Sequence, residues 1–192
     1  MGGNGSLILV YLFIGLVVVQ RLAEVGVAKS NERWMMERGA FEAGANHYPV
    51  MVALHVCFFL SLLTEVTIRQ SEWTMWSMLP LVFFLIAQAI RVWALATLGR
   101  SWNTKIIVLP GAEPVNHGPY KWIRHPNYAV VVLEIFFLPL VFQAYVTAIV
   151  FSLLNVAMLS VRIKAEEEAL NHEGDYQQTF KHVRRFISIR KK

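Results

Sequence analysis

The stretch from His117 to Leu140, HGPYKWIRHPNYAVVVLEIFFLPL, changes character at its midpoint. Up to Tyr128 it carries imidazoles, phenols, prolines and cations. After Tyr128 it is hydrocarbon, interrupted by one acid, Glu134. Gly118-Pro119 is a turn signal, and Pro126 pushes His125 out of helical geometry and towards extended backbone. The apolar half that follows suits a helix in lipid rather than the flank of a soluble domain. The join of a polar cluster to a membrane segment sets the reading of the rest of the chain.

Working outward, the same alternation recurs. The chain has 192 residues, 56% of them hydrophobic and 16% charged. A soluble domain carries about 25% charged residues. With a mean hydropathy of +0.45, this composition predicts an all-α, polytopic membrane protein. About 20 apolar residues cross a bilayer, and five segments qualify or nearly do: Leu7–Val27, Tyr48–Val66, Met75–Leu98, a shorter one over Tyr128–Phe142, and Tyr145–Val161. The tight turn at Gln143-Ala144 makes the last two an antiparallel hairpin. SWNTKIIVLPGAEP, residues 101–114, reads as a short strand pair or loop. The tail after Arg162 reads as a helix ending near Gly174, then a short amphipathic helix. Residues 1–192 read as a single domain, with the N-terminal spans in 1–90 and the remaining spans and polar blocks in 91–192.

Basic residues set orientation. The loop counted from Arg21 to Tyr48, the stretch Arg91–Arg124 and the tail from Arg162 hold all but one of the eighteen Lys and Arg residues. Only Arg69 falls on the other side. This predicts an outside N-terminus and a cytosolic C-terminus. The start MGGNGSLILV lacks a basic n-region and a cleavage site, so it reads as a first span. The net charge of +5 therefore speaks for topology and not for nucleic acid. One cysteine, Cys57, excludes an intrachain disulfide framework. The sequence has no glycine-rich phosphate loop, no Cys/His metal spacing and no serine nucleophile elbow.

Three places carry chemistry. His117, Tyr120, Arg124, His125 and Tyr128 crowd a short non-helical segment at the membrane face. They offer donors to a carboxylate and aromatic faces to a purine or cation. One such residue alone would be an interfacial anchor; five together between two prolines make a site. Glu166, Glu167 and Glu168 follow the last span directly. Such runs are ordinarily solvated, but one or two turned inward would bind a positive group. Glu134, about six residues into an apolar segment, is functional by default because burying its charge in lipid is expensive. His55 in the second span and His47 at its start raise the same question. A lone membrane histidine is ordinarily a hydrogen-bonded structural group. Arg21 and Glu24, three apart, pair on one helix face.

These blocks together resemble the isoprenylcysteine carboxyl methyltransferase family of integral membrane methyltransferases. The resemblance rests on HGPYKWIRHPNY, then an apolar hairpin, then RIKAEEEAL and GDY, with RVWALATLGRSWNTKI upstream. It covers roughly Arg91 to Phe186, about half the chain. The front half, QRLAEVGVAKSNERWMMERGAFEAGANHYP, looks more like bacterial members that methylate alkylpyrones and alkylresorcinols. The chain departs from the family near its end, where RRFISIR has Ser188 in place of a frequent proline.

The resemblance implies S-adenosylmethionine held without a Rossmann domain, in a cytosol-facing pocket. His117, Tyr120, Arg124, His125 and Tyr128 would line that pocket, with Glu166 and Glu167 closing it from the tail. Arg124 suits the methionyl carboxylate; the acids suit the ammonium or the ribose hydroxyls. The acceptor would be lipophilic, a prenylated molecule or a polyketide-like lipid drawn from the bilayer, methylated on oxygen. An ionised carboxylate needs no base; a phenol or enol does, and Glu134, His55 and His47 are the candidates. No metal is implied. The rival readings are a phospholipid N-methyltransferase, an NADPH-dependent sterol reductase of related fold, and a non-catalytic lipid-binding or assembly protein anchored by RHPNY.

Overall fold

The computed structural model describes residues 3–173 and 176–186. It is nearly all helical: α1 (Gly3–Met36), β1 (Phe41–Ala43), α2 (Tyr48–Arg69), α3 (Met78–Leu98), β2 (Ile106–Val108), α4 (Pro126–Val141), α5 (Tyr145–Glu173) and α6 (Tyr176–Thr179). Four helices are long and apolar enough to cross a membrane, and α4 is a shorter apolar helix beside them. At 1.5 Å per residue, the 16 residues of α4 span about 24 Å. That falls short of a hydrocarbon core of about 30 Å. Pro126 opens it as its first helical residue, where the missing N–H costs nothing.

Two boundaries differ from the sequence reading. First, α1 does not end near Val27; it runs unbroken to Met36, 34 residues in all. Arg21 is therefore inside a helix, not in a loop. AKSNERWMM lacks the Gly or Pro that would stop a helix, and tertiary contacts hold the extension. The buried Asn31 amide donates to the carbonyls of Gly99 (3.2 Å) and Trp102 (2.8 Å). Second, the strand within residues 101–114 finds its partner elsewhere. β2 pairs antiparallel with β1, Phe41 opposite Val108 and Ala43 opposite Ile106. Lys105 ties the junction, donating to Glu32 and Glu42 at 2.9 Å each, and those two carboxylates hold its ammonium pKa above the ordinary lysine value. The tail matches its expected helix, since α5 continues to Glu173; Gly174 and Ser188 lie outside the described residues.

The loops sort to two ends. Ser6, Trp73, Phe142 and Gln143 meet at one: the Trp73 N–H bonds Ser6 Oγ, Trp73 packs edge-on against Phe142, and Gln143 bonds Ser77 Oγ. The β1–β2 pair, residues 99–125 and the tail form the other. Near the first end the bundle is closed by Val10, Ile14, Phe58, Leu62, Phe84, Leu138, Phe142 and Phe151. In the half nearer the strands a smaller apolar cluster gathers Met35, Ala40 and Ile107. There the helices diverge around a cavity.

Candidate active site

That cavity measures about 690 Å³, within the range of about 300–1,000 Å³ for small-molecule and cofactor sites. It is continuous from residues beside the tail, such as Tyr176 and Phe180, down to Phe59, Leu63 and Phe84 among the spans. Its upper part is polar; its lower part is mainly apolar, with a separate polar group around Glu134.

The polar part is built by α4, α5 and the tail. Arg124 fastens the tail: Nε donates to the Val183 carbonyl (2.6 Å) and Nη2 to that of Phe180 (2.8 Å). The backbone joins in, with Arg124 N–H bonded to Arg184 O and His125 N–H to Arg185 O. His125 is buried, stacks on Tyr128 with ring centroids 5.4 Å apart, and shares a 3.0 Å hydrogen bond with Glu167. Glu167 also holds Arg185. The Tyr128 hydroxyl donates to Glu166 and accepts from Arg162 Nε (2.8 Å). Tyr120 and Tyr176 complete the wall. Burial, with Glu166 near both, pushes each phenol well above the ordinary tyrosine range, so both stay protonated donors.

The residues expected from sequence divide accordingly. Tyr120, Arg124, His125, Tyr128 and Glu166 line one cavity; His117 is exposed and outside it, and Glu167 stands behind its wall. Arg162, buried and bonded to Tyr128, the Thr104 carbonyl and Met51 Sδ, is a lining cation that sequence reasoning missed. Its signal was its place at the head of RIKAEEEAL. Arg124 and Arg162 are cavity arginines to which no described carboxylate is bonded.

Deeper down lies a second polar group. Glu134 is buried, and its Oε1 accepts from Gln88 (2.7 Å), Arg91 Nε (2.8 Å) and Arg21 (2.9 Å). Its Oε2 accepts from Arg91 Nη2. Glu24 pairs with both arginines, at 2.5 and 3.1 Å. The Arg21–Glu24 contact is the helix-face pair expected from their spacing. Two acids and two guanidiniums cancel, so the cluster adds no net charge to the lipid-depth wall. His55 lines the same region; its Nδ1 bonds the Met51 carbonyl at 2.8 Å. That carbonyl can only accept, so Nδ1 carries the proton and Nε2 keeps a free lone pair. His47 lies outside the cavity, its ring packed against Gly44.

The sequence pattern of the isoprenylcysteine carboxyl methyltransferase (ICMT) family matches residues 78–172. The chain belongs to that family. The matched segment runs from α3 through α5 and includes the cavity's polar wall from Tyr120 to Glu166. The chain is similar to the uncharacterized protein YpbQ of Bacillus subtilis (strain 168), 49% identical over 160 residues that cover 83% of this chain and 95% of that one. It is also similar to an uncharacterized protein of Haemophilus influenzae, 27% identical over 166 residues covering 84% and 96%. Membership in the ICMT family makes this chain a membrane methyltransferase.

A family cofactor has to fit the residues present, and the polar wall passes that test. Trp102 Nε1, Asn103 Oδ1 and Asn127 Oδ1 are buried polar atoms without a described partner, and all three residues line the cavity. Such atoms call for a hydrogen-bonding occupant. The cations Arg124 and Arg162, to which no described carboxylate is bonded, and the anion Glu166 suit a molecule that carries both signs of charge.

Proposed function

We propose that the chain is an S-adenosylmethionine-dependent methyltransferase acting on an oxygen of a lipophilic acceptor. The observation that carries this reading is the single cavity, polar beside the tail and apolar between the spans. A water-soluble donor and a lipid substrate require that combination. Residues 91–192 supply most of the polar lining, and both halves contribute to the apolar lining.

S-adenosylmethionine supplies an activated methyl group, so the protein's task is alignment and exclusion of water. Arg124 and Arg162 attract the carboxylate end of the donor. Glu166, with Tyr120 and Tyr176 as neutral donors, takes the ammonium and ribose hydroxyls. His125 and Glu167 hold the wall from behind and couple it to Arg185. The acceptor's chain lies along the apolar residues of α1 and α2. An acceptor carboxylate reacts as it stands. A phenol or enol gives up its proton to a base, and His55 is the candidate base whose Nε2 lone pair is open in the cavity. Glu134 is a positioning residue, because Arg21, Gln88 and Arg91 already claim its carboxylate. The alkylpyrone and alkylresorcinol lipids named by the sequence resemblance need such a base; a prenylcysteine does not. On this reading the polar end faces the cytosol, where the donor is made, as the positions of the basic residues suggest.

Calorimetric titration of the purified protein with S-adenosylmethionine tests the reading. We expect saturable binding that Arg124→Ala and Glu166→Gln weaken by about tenfold or more, the loss expected when a charged hydrogen bond is removed. No heat of binding to the folded wild-type protein would refute it. A lipid-binding protein without catalysis would show that outcome together with retained lipid.

A further inference from the structure

Asn155 is 2% exposed on the lipid-depth face of α5, and its Nδ2 has no hydrogen-bond partner among the described residues. Its side chain lines the cavity, on the same α5 stripe as Met158, Leu159, Arg162 and Glu166. A buried amide donor left unpaired is costly, and in lipid the ordinary remedy is a partner on a neighbouring helix. Here the face is turned to the cavity instead.

Its depth follows from contacts on both sides. Phe58 of α2 packs on Phe151 with centroids 5.7 Å apart, and Arg162 reaches Met51. Asn155 lies one turn beyond Phe151, and His55 nearly one turn beyond Phe58 in the same direction. On the other flank Tyr128 meets Arg162. From there Glu134 and Asn155 lie about 9 Å and 10 Å down their antiparallel helices, at 1.5 Å per residue. Asn155, His55 and Glu134 therefore share one level, below the polar wall. At that level both guanidiniums are neutralised by Glu24 and Glu134. No free cation is there to receive an anion, and His55 Nε2 is an acceptor. Asn155 Nδ2 is the donor left for an uncharged oxygen.

We propose that Asn155 is a specificity-determining residue, donating a hydrogen bond to a neutral carbonyl oxygen on the lipophilic acceptor. The proposal rests on reading the cavity as a methyltransferase site and narrows the acceptor to a lipid that carries such an oxygen near its polar end. A hydrocarbon would leave the amide unmatched.

The test uses methyl hexadecanoate and octadecane, probes of equal chain length of which only the ester carries a carbonyl. Neither can donate to His55, and other donors line the cavity, so the part of the preference that Asn155→Leu removes reads Asn155. Binding to the purified full-length protein in detergent is followed by native mass spectrometry, without S-adenosylmethionine. We expect the wild type to favour the ester by about tenfold. Asn155→Leu should erase that preference while leaving the thermal midpoint and the S-adenosylmethionine affinity unchanged. Equal binding of the two probes by the wild type would overturn the proposal, as would a preference that survives in Asn155→Leu. A lower midpoint in Asn155→Leu would assign the residue a structural role instead. Asn155→Val replaces the leucine variant if that one does not fold. Donor titration and methyl transfer report on the methyltransferase reading separately, so either can fail alone.

Discussion

Glu134 is held by three side chains from two other helices. Breaking a buried ion pair by removing one partner costs about 3–5 kcal/mol, because the opposite charge stays buried. Glu134→Gln should therefore lower the thermal unfolding midpoint of the detergent-solubilised protein. Replacing Arg91 and Glu134 together by Met and Leu should recover much of that loss, since no charge is stranded. A Glu134→Gln protein of unchanged stability but abolished activity would instead make Glu134 the base. The tyrosines give a second prediction at this scale. An exposed phenol ionises near pH 10, but burial raises Tyr120 and Tyr176. A raised pKa keeps the neutral donor form as pH climbs, so neither phenol should ionise by about pH 10. Ultraviolet titration of the wild type against Tyr120→Phe and Tyr176→Phe would show it; a phenolate signal from either residue near pH 9 would mean these phenols are not shielded.

At the scale of elements, turns set the site. Gly118 has φ +56°, and a Cβ there would stand 2.5 Å from Thr97 Oγ1 of α3. The left-handed backbone alone costs a side chain about 1–2 kcal/mol, and the contact adds to it. Gly118→Ala should loosen the turn that carries Tyr120, lowering both stability and donor affinity; unchanged values for both would contradict this. Much of this was legible in sequence. Pro126 marks the start of α4, and the apolar runs mark the helices. RHPNY and RIKAEEEAL name residues that do converge, because short turns leave α4 and α5 few ways to pack. What was not legible came from long-range contacts. The partner of β2 lies some 65 residues upstream. The extension of α1 depends on Asn31 meeting two carbonyls after α3. His117 carries the same local signals as Tyr120, yet only packing decides which of the two faces inward.

For the whole molecule, the loops fall at two ends as the distribution of basic residues requires. In a Cys57→Ser background, Glu72→Cys should react with an impermeant thiol reagent added outside intact cells, and Lys121→Cys should not. The reverse pattern would invert the topology and put the polar end of the cavity away from the cytosolic donor. The closed core near Phe142 and the open half near the strands give the molecule one cavity spanning two solvents, which is the central claim. The measurement that bears on it most directly is methyl transfer. Purified protein is incubated with methyl-labelled S-adenosylmethionine and a bacterial lipid extract, then partitioned into organic solvent. Label should enter the lipid phase with the wild type, and little should do so with Arg124→Ala. Label that stays wholly in the aqueous phase with folded, donor-bound wild type would contradict it.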